Sequence, residues 1–284
     1  MRKQEESARK YKIGMAVREA GVSPQTVRFY EKRDLMGSLQ EDTGSTRYYG
    51  VRHLKQLSNI RRYFKLGFSE EEIHGIMDCR DLTEFSRIFE KRLQENREEQ
   101  ARLRLQEEML GGLQEQLAMV PRLLHRVEIA ENPPLCFLIN RTGGEMLENA
   151  AVEEVQSRWV GQIHLTSIAS VIPQEVFLHE PDSHYRLSGY CLPQKYLSLV
   201  GSGSGDRILR FYPAGKCLHT CCVLQKEERS PAALMPEAYA FLQKENCTVT
   251  GDVFGRLIAV LGERGIQTEN EPSAAYYEYW IPIL

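Results

Sequence analysis

The chain has 284 residues, of which 42% are hydrophobic and 26% are charged, and its formal net charge is −3. This composition is typical of a soluble globular protein with room for two domains. It argues against a membrane protein, because no apolar run approaches the roughly 18–20 residues that a membrane span requires. We expect a cytoplasmic protein, since the charged N-terminal segment is not followed by the apolar stretch of a signal peptide.

The charge is divided unevenly along the chain. Residues 1–67 hold 15 Lys and Arg against 7 Asp and Glu, a net of +8, whereas residues 129–284 hold 12 against 18, a net of −6. A basic N-terminal region suits a polyanion such as nucleic acid, although a basic face is often only solvated. Charge alone does not distinguish a nucleic-acid-binding face from a solvated one, so the sequence motifs are needed to decide.

The first segment, residues 11–80, is predicted to be a series of short helices. Apolar residues recur at helical spacing from Ile13 to Ala20, Gly21 breaks this helix, and Ser23-Pro24 starts the next one. A helix, a tight turn and a second helix that begins with polar residues form a helix-turn-helix.

A polar stretch, residues 37–50, follows and predicts a short hairpin, the wing of a winged helix-turn-helix. Arg47 and Tyr48 belong to its return arm. Another helix is expected over residues 51–68, and Ser69 with Glu72 forms the capping box of a further one.

The second segment, residues 81–120, is predicted to be one long charged helix. With Phe85 at position d, the a positions of the heptad are Phe89, Asn96, Leu103, Leu110 and Leu117, and the d positions are Phe85, Arg92, Glu99, Gln106, Leu113 and Val120. The stripe is apolar at both ends and polar in the middle. Pairing with a second helix would bury it, which predicts a coiled-coil dimer helix. The alternative is a helix that lies on its own globular domain. Pro121 is expected to end the helix.

The third segment, residues 129–284, alternates between half-buried strand patterns and two helical stretches, about residues 145–163 and 231–245. This mixture predicts an α+β domain. The glycine-rich residues 201–206 lack the lysine and the helix context of a phosphate-binding loop, so we interpret them as a plain loop. The fold class is therefore multidomain: an α-helical head, a dimer helix and a C-terminal α+β domain.

Residues of the first segment resemble the MerR family of transcription regulators. The matching residues are Ile13-Gly14, Gly21-Val22-Ser23, Thr26-Val27-Arg28-Phe29-Tyr30-Glu31, Leu35, Thr46-Arg47-Tyr48-Tyr49, Ile60, Leu66-Gly67-Phe68-Ser69 and Glu72-Ile73. The resemblance implies a homodimer built on an antiparallel coiled-coil pair of long helices. It also implies binding to double-stranded promoter DNA and work with RNA polymerase. In such regulators, effector binding distorts a promoter with a long spacer into an active shape.

The C-terminal segment resembles the gyrase-inhibitor-like effector domains of the multidrug-sensing branch of that family. The matching residues are Phe211-Tyr212-Pro213-Ala214-Gly215-Lys216 and Glu278-Tyr279-Trp280-Ile281-Pro282-Ile283. Where such domains carry a glutamate in a tyrosine-flanked strand, this chain has Gly255-Arg256. The resemblance implies a small-molecule effector, and this departure leaves the preference for cations open.

Several basic and polar side chains are predicted to contact DNA. Those expected at the major groove and its flanking phosphates are Arg18, Gln25, Thr26, Arg28 and Lys32. Those expected at the backbone are Arg47, Tyr48, Arg61, Arg62 and Lys65. The predicted set also includes Phe29 and Tyr30 of the matched motif.

The C-terminal segment is rich in aromatic residues around one carboxylate. An aromatic cavity with an acidic group would bind a flat lipophilic, cationic or aromatic molecule. The predicted effector residues are Trp159, Tyr190, Phe211, Tyr212, Tyr276, Glu278 and Trp280. The alternative is that these aromatic side chains are simply core.

Two other functions stay open at this point. Cys217, His219 and Cys221 share one face of a strand and could make the chain a metal- or thiol-responsive regulator. The C-terminal domain could also be a hydrolase, but no nucleophile–base motif supports that. We expect no enzymatic activity and no cofactor.

Overall fold

The computed structural model describes residues 10–40, 47–203, 205–225, 230–262 and 274–284. The chain divides into two compact units, Met1–Leu103 and Arg104–Leu284. The division into three domains at residues 80 and 120 remains a prediction.

The first unit is mainly helical. Its helices are α1 (Ile13–Ala20), α2 (Pro24–Lys32), α3 (Val51–Lys65) and α4 (Glu70–Asp78), and its strands are β1 (Tyr11–Lys12), β2 (Leu39–Gln40) and β3 (Arg47–Tyr49). The three strands form an antiparallel sheet in the order β1-β3-β2. The predicted hairpin is thus present as β2 paired with β3, and residues 41–46 between them lie outside the described residues.

The turn between α1 and α2 forms as the residues predict. Gly21 has φ +60°, a left-handed conformation that glycine adopts without steric cost. Ser23 is the N-cap of α2, and its hydroxyl accepts a hydrogen bond from the Thr26 amide at 3.1 Å. Pro24 occupies the first turn, where an amide hydrogen is not needed.

The core of the first unit is a single apolar cluster. Val27, Leu57 and Ile73, from three different helices, are fully buried in it. Phe85 and Phe89, at the start of the next helix, pack against this cluster and against each other at 4.8 Å. The two phenylalanines of the predicted heptad stripe are therefore already in contact with the helical head.

Helix α5 (Leu82–Leu123) is the long helix that the sequence predicts. Asp81 precedes it, and its carboxylate accepts hydrogen bonds from the amides of Glu84 and Thr83, which lowers the pKa of Asp81. The prediction that Pro121 ends the helix is wrong by three residues. A proline in the last turn removes one hydrogen bond, and burial of Val120 and Leu123 holds that turn in place.

The second unit is an α+β domain around one antiparallel sheet. The described strands of the sheet are β4 (Val127–Glu131), β5 (Leu135–Thr142), β6 (Glu145–Met146), β7 (Ser167–Ile172), β8 (Leu187–Pro193), β9 (Leu209–Tyr212), β10 (Lys216–Gln225), β11 (Val253–Leu261) and β12 (Ala274–Pro282). They follow the order β4-β10-β12-β11-β7-β8-β5-β6, and β9 also pairs with β5. The predicted α+β class is confirmed.

Four shorter α-helices lie in the described part of this unit: α6 (Ala150–Gly161), α7 (Gln174–His179), α8 (Pro231–Leu234) and α9 (Pro236–Glu245). Two 3₁₀ helices, Ile163–Leu165 and Gln194–Val200, accompany them. The predicted helix from residue 145 begins later, because Glu145 and Met146 pair with β5. Asn149 is the N-cap, and its side chain accepts from the Ala151 amide at 2.9 Å.

Among the described residues, no helix is long and apolar enough to cross a membrane.

Candidate functional site

Helix α2 presents a polar, basic face to solvent. Gln25, Arg28 and Lys32 are exposed, while Val27 on the opposite face is fully buried. Thr26 is half-buried, and its hydroxyl lies 2.9 Å from that of Ser23. The helix therefore keeps one face free for a ligand and uses the other to anchor itself.

The two aromatic residues of the α2 motif lie in different environments. Tyr30 is 6% exposed and stacks on Phe64 at 5.5 Å, and burial raises the pKa of its hydroxyl. Phe29 is 46% exposed, with the Arg33 guanidinium 5.3 Å from its ring centroid. Phe29 therefore faces solvent while Tyr30 packs into the core, and a DNA contact by either residue stays a prediction.

Glu31 connects the β2–β3 hairpin to α2. Its carboxylate accepts hydrogen bonds from Arg47 Nη1 at 2.9 Å and from the Tyr49 hydroxyl at 2.8 Å. Tyr49 is fully buried, and burial together with Glu31 raises the pKa of its hydroxyl. Arg47 and the half-buried Tyr48 thus lie on a strand whose position is set from α2.

The remaining predicted DNA contacts lie on α1 and α3. Arg61 is half-buried and donates a hydrogen bond to the carbonyl of Ala20, the last residue of α1, which makes it a helix cap. Arg18, Arg62 and Lys65 are exposed. The structure therefore gives Arg61 a structural role that its charge alone does not reveal.

The second unit contains a cavity of about 910 Å³ between the C-terminal part of α5 and the sheet. Met109, Leu113 and Gln116 of α5 form one wall. Glu278 and Trp280 of β12 line it from the sheet, as do His219 of β10 and Arg256 of β11, and Lys195 and Tyr196 lie beside the mouth. Its volume is within the range typical of small-molecule sites, roughly 300–1,000 Å³.

Glu278 is a buried carboxylate, and both of its oxygens have polar partners. It is 1% exposed and accepts a hydrogen bond from Arg256 Nε and one from Gln116 Nε2 at 3.2 Å, both on Oε1. Its other oxygen lies 3.3 Å from His219 Nε2. A charge this deeply buried needs such partners, since a lone buried carboxylate is very costly.

Two polar side chains lie against the Trp280 ring. The Arg256 guanidinium carbon lies 5.5 Å from its centroid, within cation–π range, and the His219 imidazole is stacked on it at 5.0 Å. Cross-strand pairing produces this arrangement, because Trp280 is opposite His219 on β10 and Glu278 is opposite Arg256 on β11. The floor of the cavity is therefore a paired cation and anion beside an indole.

A second ion pair lies at the mouth of the cavity. Lys195 donates a hydrogen bond to Glu108 of α5, which lowers the pKa of Glu108, and the ammonium lies 4.8 Å from the Tyr196 ring centroid. Among the described residues, Glu115 and Glu131 at the rim are exposed carboxylates without an ion-pair partner.

Most of the other predicted effector residues lie away from this cavity. Trp159 is fully buried in a separate cluster, where its indole donates to Ser202 at 3.0 Å, and Tyr190 and Phe211 pack against the same cluster. Tyr212 stacks on Phe254 at 4.2 Å, and Tyr276 packs beside Cys221. Of the predicted set, the structure brings together Glu278 and Trp280 in the cavity; Trp159 is core, and the others are half-buried residues that pack against the core.

The residues missing from the predicted set are Gln116, His219, Arg256, Lys195 and Tyr196. Gln116 and His219 are separated from Glu278 by 162 and 59 positions, so no local pattern could reveal their contact. Arg256 did carry a signal, as the residue that departs from the family pattern.

Cys217, His219 and Cys221 do not form a metal site. Cys217 donates to the Asn132 side chain at 3.3 Å, and His219 is engaged by Glu278 on Nε2, with Glu128 3.7 Å from Nδ1. Burial raises the pKa of Cys217 to about 11 and that of Cys221 to about 12, so both thiols stay protonated at neutral pH. In the part of the chain that the structure describes, no three His, Cys, Asp or Glu side chains are grouped to hold a metal ion.

Comparison with known proteins identifies the first unit. Residues 11–79 match the family model described as MerR HTH family regulatory protein. The chain is similar to the mercuric resistance operon regulatory protein of Pseudomonas fluorescens, with 33% identity over 104 residues that cover 36% of this chain and 72% of that protein. It is also 35% identical over 91 residues to the HTH-type transcriptional regulator ZntR of Escherichia coli K12, covering 30% of this chain and 64% of ZntR.

Two solved structures resemble this chain, one over about a third of its length and the other over most of it. The lead(II) complex of the transcription regulator PbrR691 from Ralstonia metallidurans is 27% identical and covers 37% of this chain and 86% of that one, with a TM-score of 0.34. EcmrR in its DNA complex is 16% identical and covers 96% of this chain and 99% of that one, also with a TM-score of 0.34. At these TM-scores neither likeness bears on function. From the family model and the curated relatives, the chain belongs to the MerR family of DNA-binding transcription regulators.

Proposed function

We propose that this regulator is a homodimer that binds promoter DNA sequence-specifically, responds to a small lipophilic, aromatic molecule, and activates RNA polymerase by distorting the promoter. The cavity of about 910 Å³ between α5 and the sheet carries the proposal. It is large enough for a drug-sized ligand and combines apolar walls with a few buried polar groups, as effector sites do.

Sequence reading is assigned to α2. Its exposed Gln25 and Arg28 can reach base edges, and arginine recognises guanine through a bidentate pair worth about 1–3 kcal/mol of discrimination. Arg62 and Lys65 of α3, and Arg47 of β3, are assigned to phosphates, whose contacts give affinity that falls with salt.

The dimer is assigned to the exposed face of α5. Leu103, Leu110 and Leu117, at a positions of the predicted heptad, are 50–67% exposed in the single chain. Leaving three leucines in water along one helix is unfavourable, at roughly 1.5–3 kcal/mol for each side chain that could be buried. A second copy of the same helix, in the antiparallel sense, would cover them.

The effector signal is assigned to the contact between Gln116 and Glu278. Gln116 belongs to α5, and its amide donates to the carboxylate at the floor of the cavity. Arg122, also on α5, forms a bidentate ion pair with Glu128 of β4, which in turn lies beside His219. A ligand that enters the cavity competes with the Gln116–Glu278 contact and so biases the position of α5 against the sheet.

Metal sensing is not adopted for this chain, although the name of the P. fluorescens relative refers to mercuric resistance. The cysteines and His219 of this chain do not fit a metal in the described residues, and the P. fluorescens relative aligns with 36% of the chain.

The experiment compares the full chain with a variant in which the cavity is filled. Gly111 lines the cavity on α5, and a Cβ placed there meets no heavy atom within 4 Å, so Gly111→Trp is expected to fold with its indole inside the cavity. Gly161→Trp, at the end of α6 and outside the cavity, is the matched control. The probe is N-methylacridone, a planar fluorescent molecule.

We expect the probe to raise the melting temperature of the wild type and of Gly161→Trp. A ligand at 100 times its Kd stabilises by about 2.7 kcal/mol. Gly111→Trp should show no such shift and no effector-dependent transcription from a promoter with a long spacer. An unchanged response of Gly111→Trp would refute the cavity as the effector site.

A further inference from the structure

Arg256 occupies the place that a cationic ligand would take. Its Nε donates to Glu278, and its guanidinium lies 5.5 Å from the centre of the Trp280 ring. A carboxylate and an aromatic face are the two groups that attract an organic cation. Both are already engaged by the guanidinium group of Arg256.

Three of the roughly four acceptor positions of Glu278 already face a polar partner at the cavity floor. Oε1 of Glu278 accepts from Arg256 and Gln116, Oε2 faces His219, and the side chain is 2% exposed. A permanent cation would have to displace the guanidinium and leave it unpaired, 13% exposed, in the same cavity. Like charges at that distance repel, and an unpaired buried charge is costly.

The acidic residues at the rim of the cavity do not compensate for the cost of bringing a cation to its floor. Glu115 and Glu131 are exposed, and the attraction between solvent-exposed charges is weak and screened by salt. They increase the local concentration of cations at the mouth more than they hold a cation inside.

The guanidinium has donors to spare. Its two terminal nitrogens make no hydrogen bond to any described residue and are not enclosed by protein, while the side chain lines the cavity. A carbonyl oxygen on a planar ligand could accept from them without adding net charge to the site.

We propose that Arg256 is a specificity-determining residue that acts as a built-in cation, so that the cavity selects uncharged planar molecules with a carbonyl acceptor over permanent organic cations. This inference rests on the proposed function, in which the cavity is the effector site. Arg256 replaces the ligand's positive charge at Glu278 and offers its terminal nitrogens to the ligand's carbonyl.

Three probes with the same three-ring skeleton test this proposal. N-methylacridone is uncharged and has a carbonyl, 10-methylacridinium is a permanent cation without an acceptor, and acridine-9-carboxylate is an anion. Binding to the full chain is measured by calorimetry. The wild type should bind the acridone at least about tenfold more tightly than the acridinium, and more tightly than the carboxylate, which would add an uncompensated negative charge.

Four variants separate the contributions. Arg256→Met removes the charge and should reverse the preference, because Glu278 and Trp280 become available to the acridinium. Arg256→Lys keeps the charge but not the fork of donors, and should weaken the acridone without admitting the acridinium. The double variant, Arg256→Met combined with Glu278→Gln, leaves no unpaired buried charge. It is therefore expected to fold even if Arg256→Met alone does not. It should bind the two probes about equally. Gly111→Trp should bind none of them.

Each outcome has a defined meaning. Reversal in Arg256→Met, together with loss of binding in Gly111→Trp, supports the proposal. A wild type that prefers the acridinium, or an Arg256→Met variant with an unchanged preference, overturns the proposal for Arg256. If Gly111→Trp loses binding in that case, the cavity is still supported as the effector site. Undiminished binding in Gly111→Trp, or no binding of any probe to the wild type, counts against both.

Discussion

Glu31 is the residue whose change most directly tests how the head is held together. It is the common acceptor for Arg47 and Tyr49, at 2.9 and 2.8 Å, and so connects β3 to α2. In Glu31→Gln the shape is kept and the charge is lost. The exposed Arg47 pair contributes only about 0.2–1 kcal/mol, so the main effect comes from the fully buried Tyr49 hydroxyl.

A hydrogen bond to a charged acceptor contributes about 1.5–3 kcal/mol, against about 0.5–1.5 for a neutral one. We therefore expect Glu31→Gln to destabilise the first unit by about 1–2 kcal/mol. Glu31→Ala should cost about 1–3 kcal/mol more, because it leaves the Tyr49 hydroxyl buried without a partner. In a unit of about 100 residues each kcal/mol lowers the melting temperature by roughly 4–8 °C.

The measurement is differential scanning calorimetry of the full chain, with DNA affinity as a second readout. The control is Glu70→Gln. Glu70 also receives an arginine, Arg33, at 3.0 and 3.2 Å, but that pair is exposed and involves no buried hydroxyl. We expect a loss below about 0.5 kcal/mol there. If Glu31→Gln were as mild as Glu70→Gln, the buried hydroxyl could not be the main contribution and the reasoning would be refuted.

Three further predictions follow from other parts of the chain. Arg28→Ala should relax base preference at one position of the operator, whereas Arg62→Ala should weaken all sequences alike and reduce the salt dependence; equal effects in a binding-site selection would contradict this assignment. Gly255→Ala should destabilise the second unit by at least about 1–3 kcal/mol, since the new Cβ would lie 2.3 Å from the carbonyl oxygen of Glu278. The control, Gly111→Ala, places its Cβ in open space and should be neutral or stabilising; thermal unfolding measures both. At about pH 8 a thiol reagent should modify the two half-buried cysteines and reach all seven only after denaturation, because burial shields the other five from the reagent and raises their pKa. Rapid reaction of more than two cysteines in the native chain would show that the core of the second unit opens.

The local features of this protein could be predicted from its sequence. The turn at Gly21, the N-cap at Ser23 and the capping box at Ser69 each depend on residues within four positions of one another. The length of α5 followed from a charged, helix-favouring composition, and its end was displaced by only three residues because burial of Leu123 outweighed the loss of one hydrogen bond at Pro121. The family, too, depends on ordered local motifs in residues 11–79.

The effector cavity could not be predicted in this way, because strand register brings its residues together. Trp159, Phe211 and Tyr212 have the same composition signal as Trp280, yet only Trp280 lines the cavity. The pairing of Arg256 with Glu278 depends on which residues of β11 and β12 stand opposite each other, and a slip of one residue would place them on opposite faces of the sheet. By itself the sequence determined a DNA-binding head, a long helix and an α+β domain. Only the tertiary structure decided that the one buried carboxylate of this cavity already has an arginine as its partner.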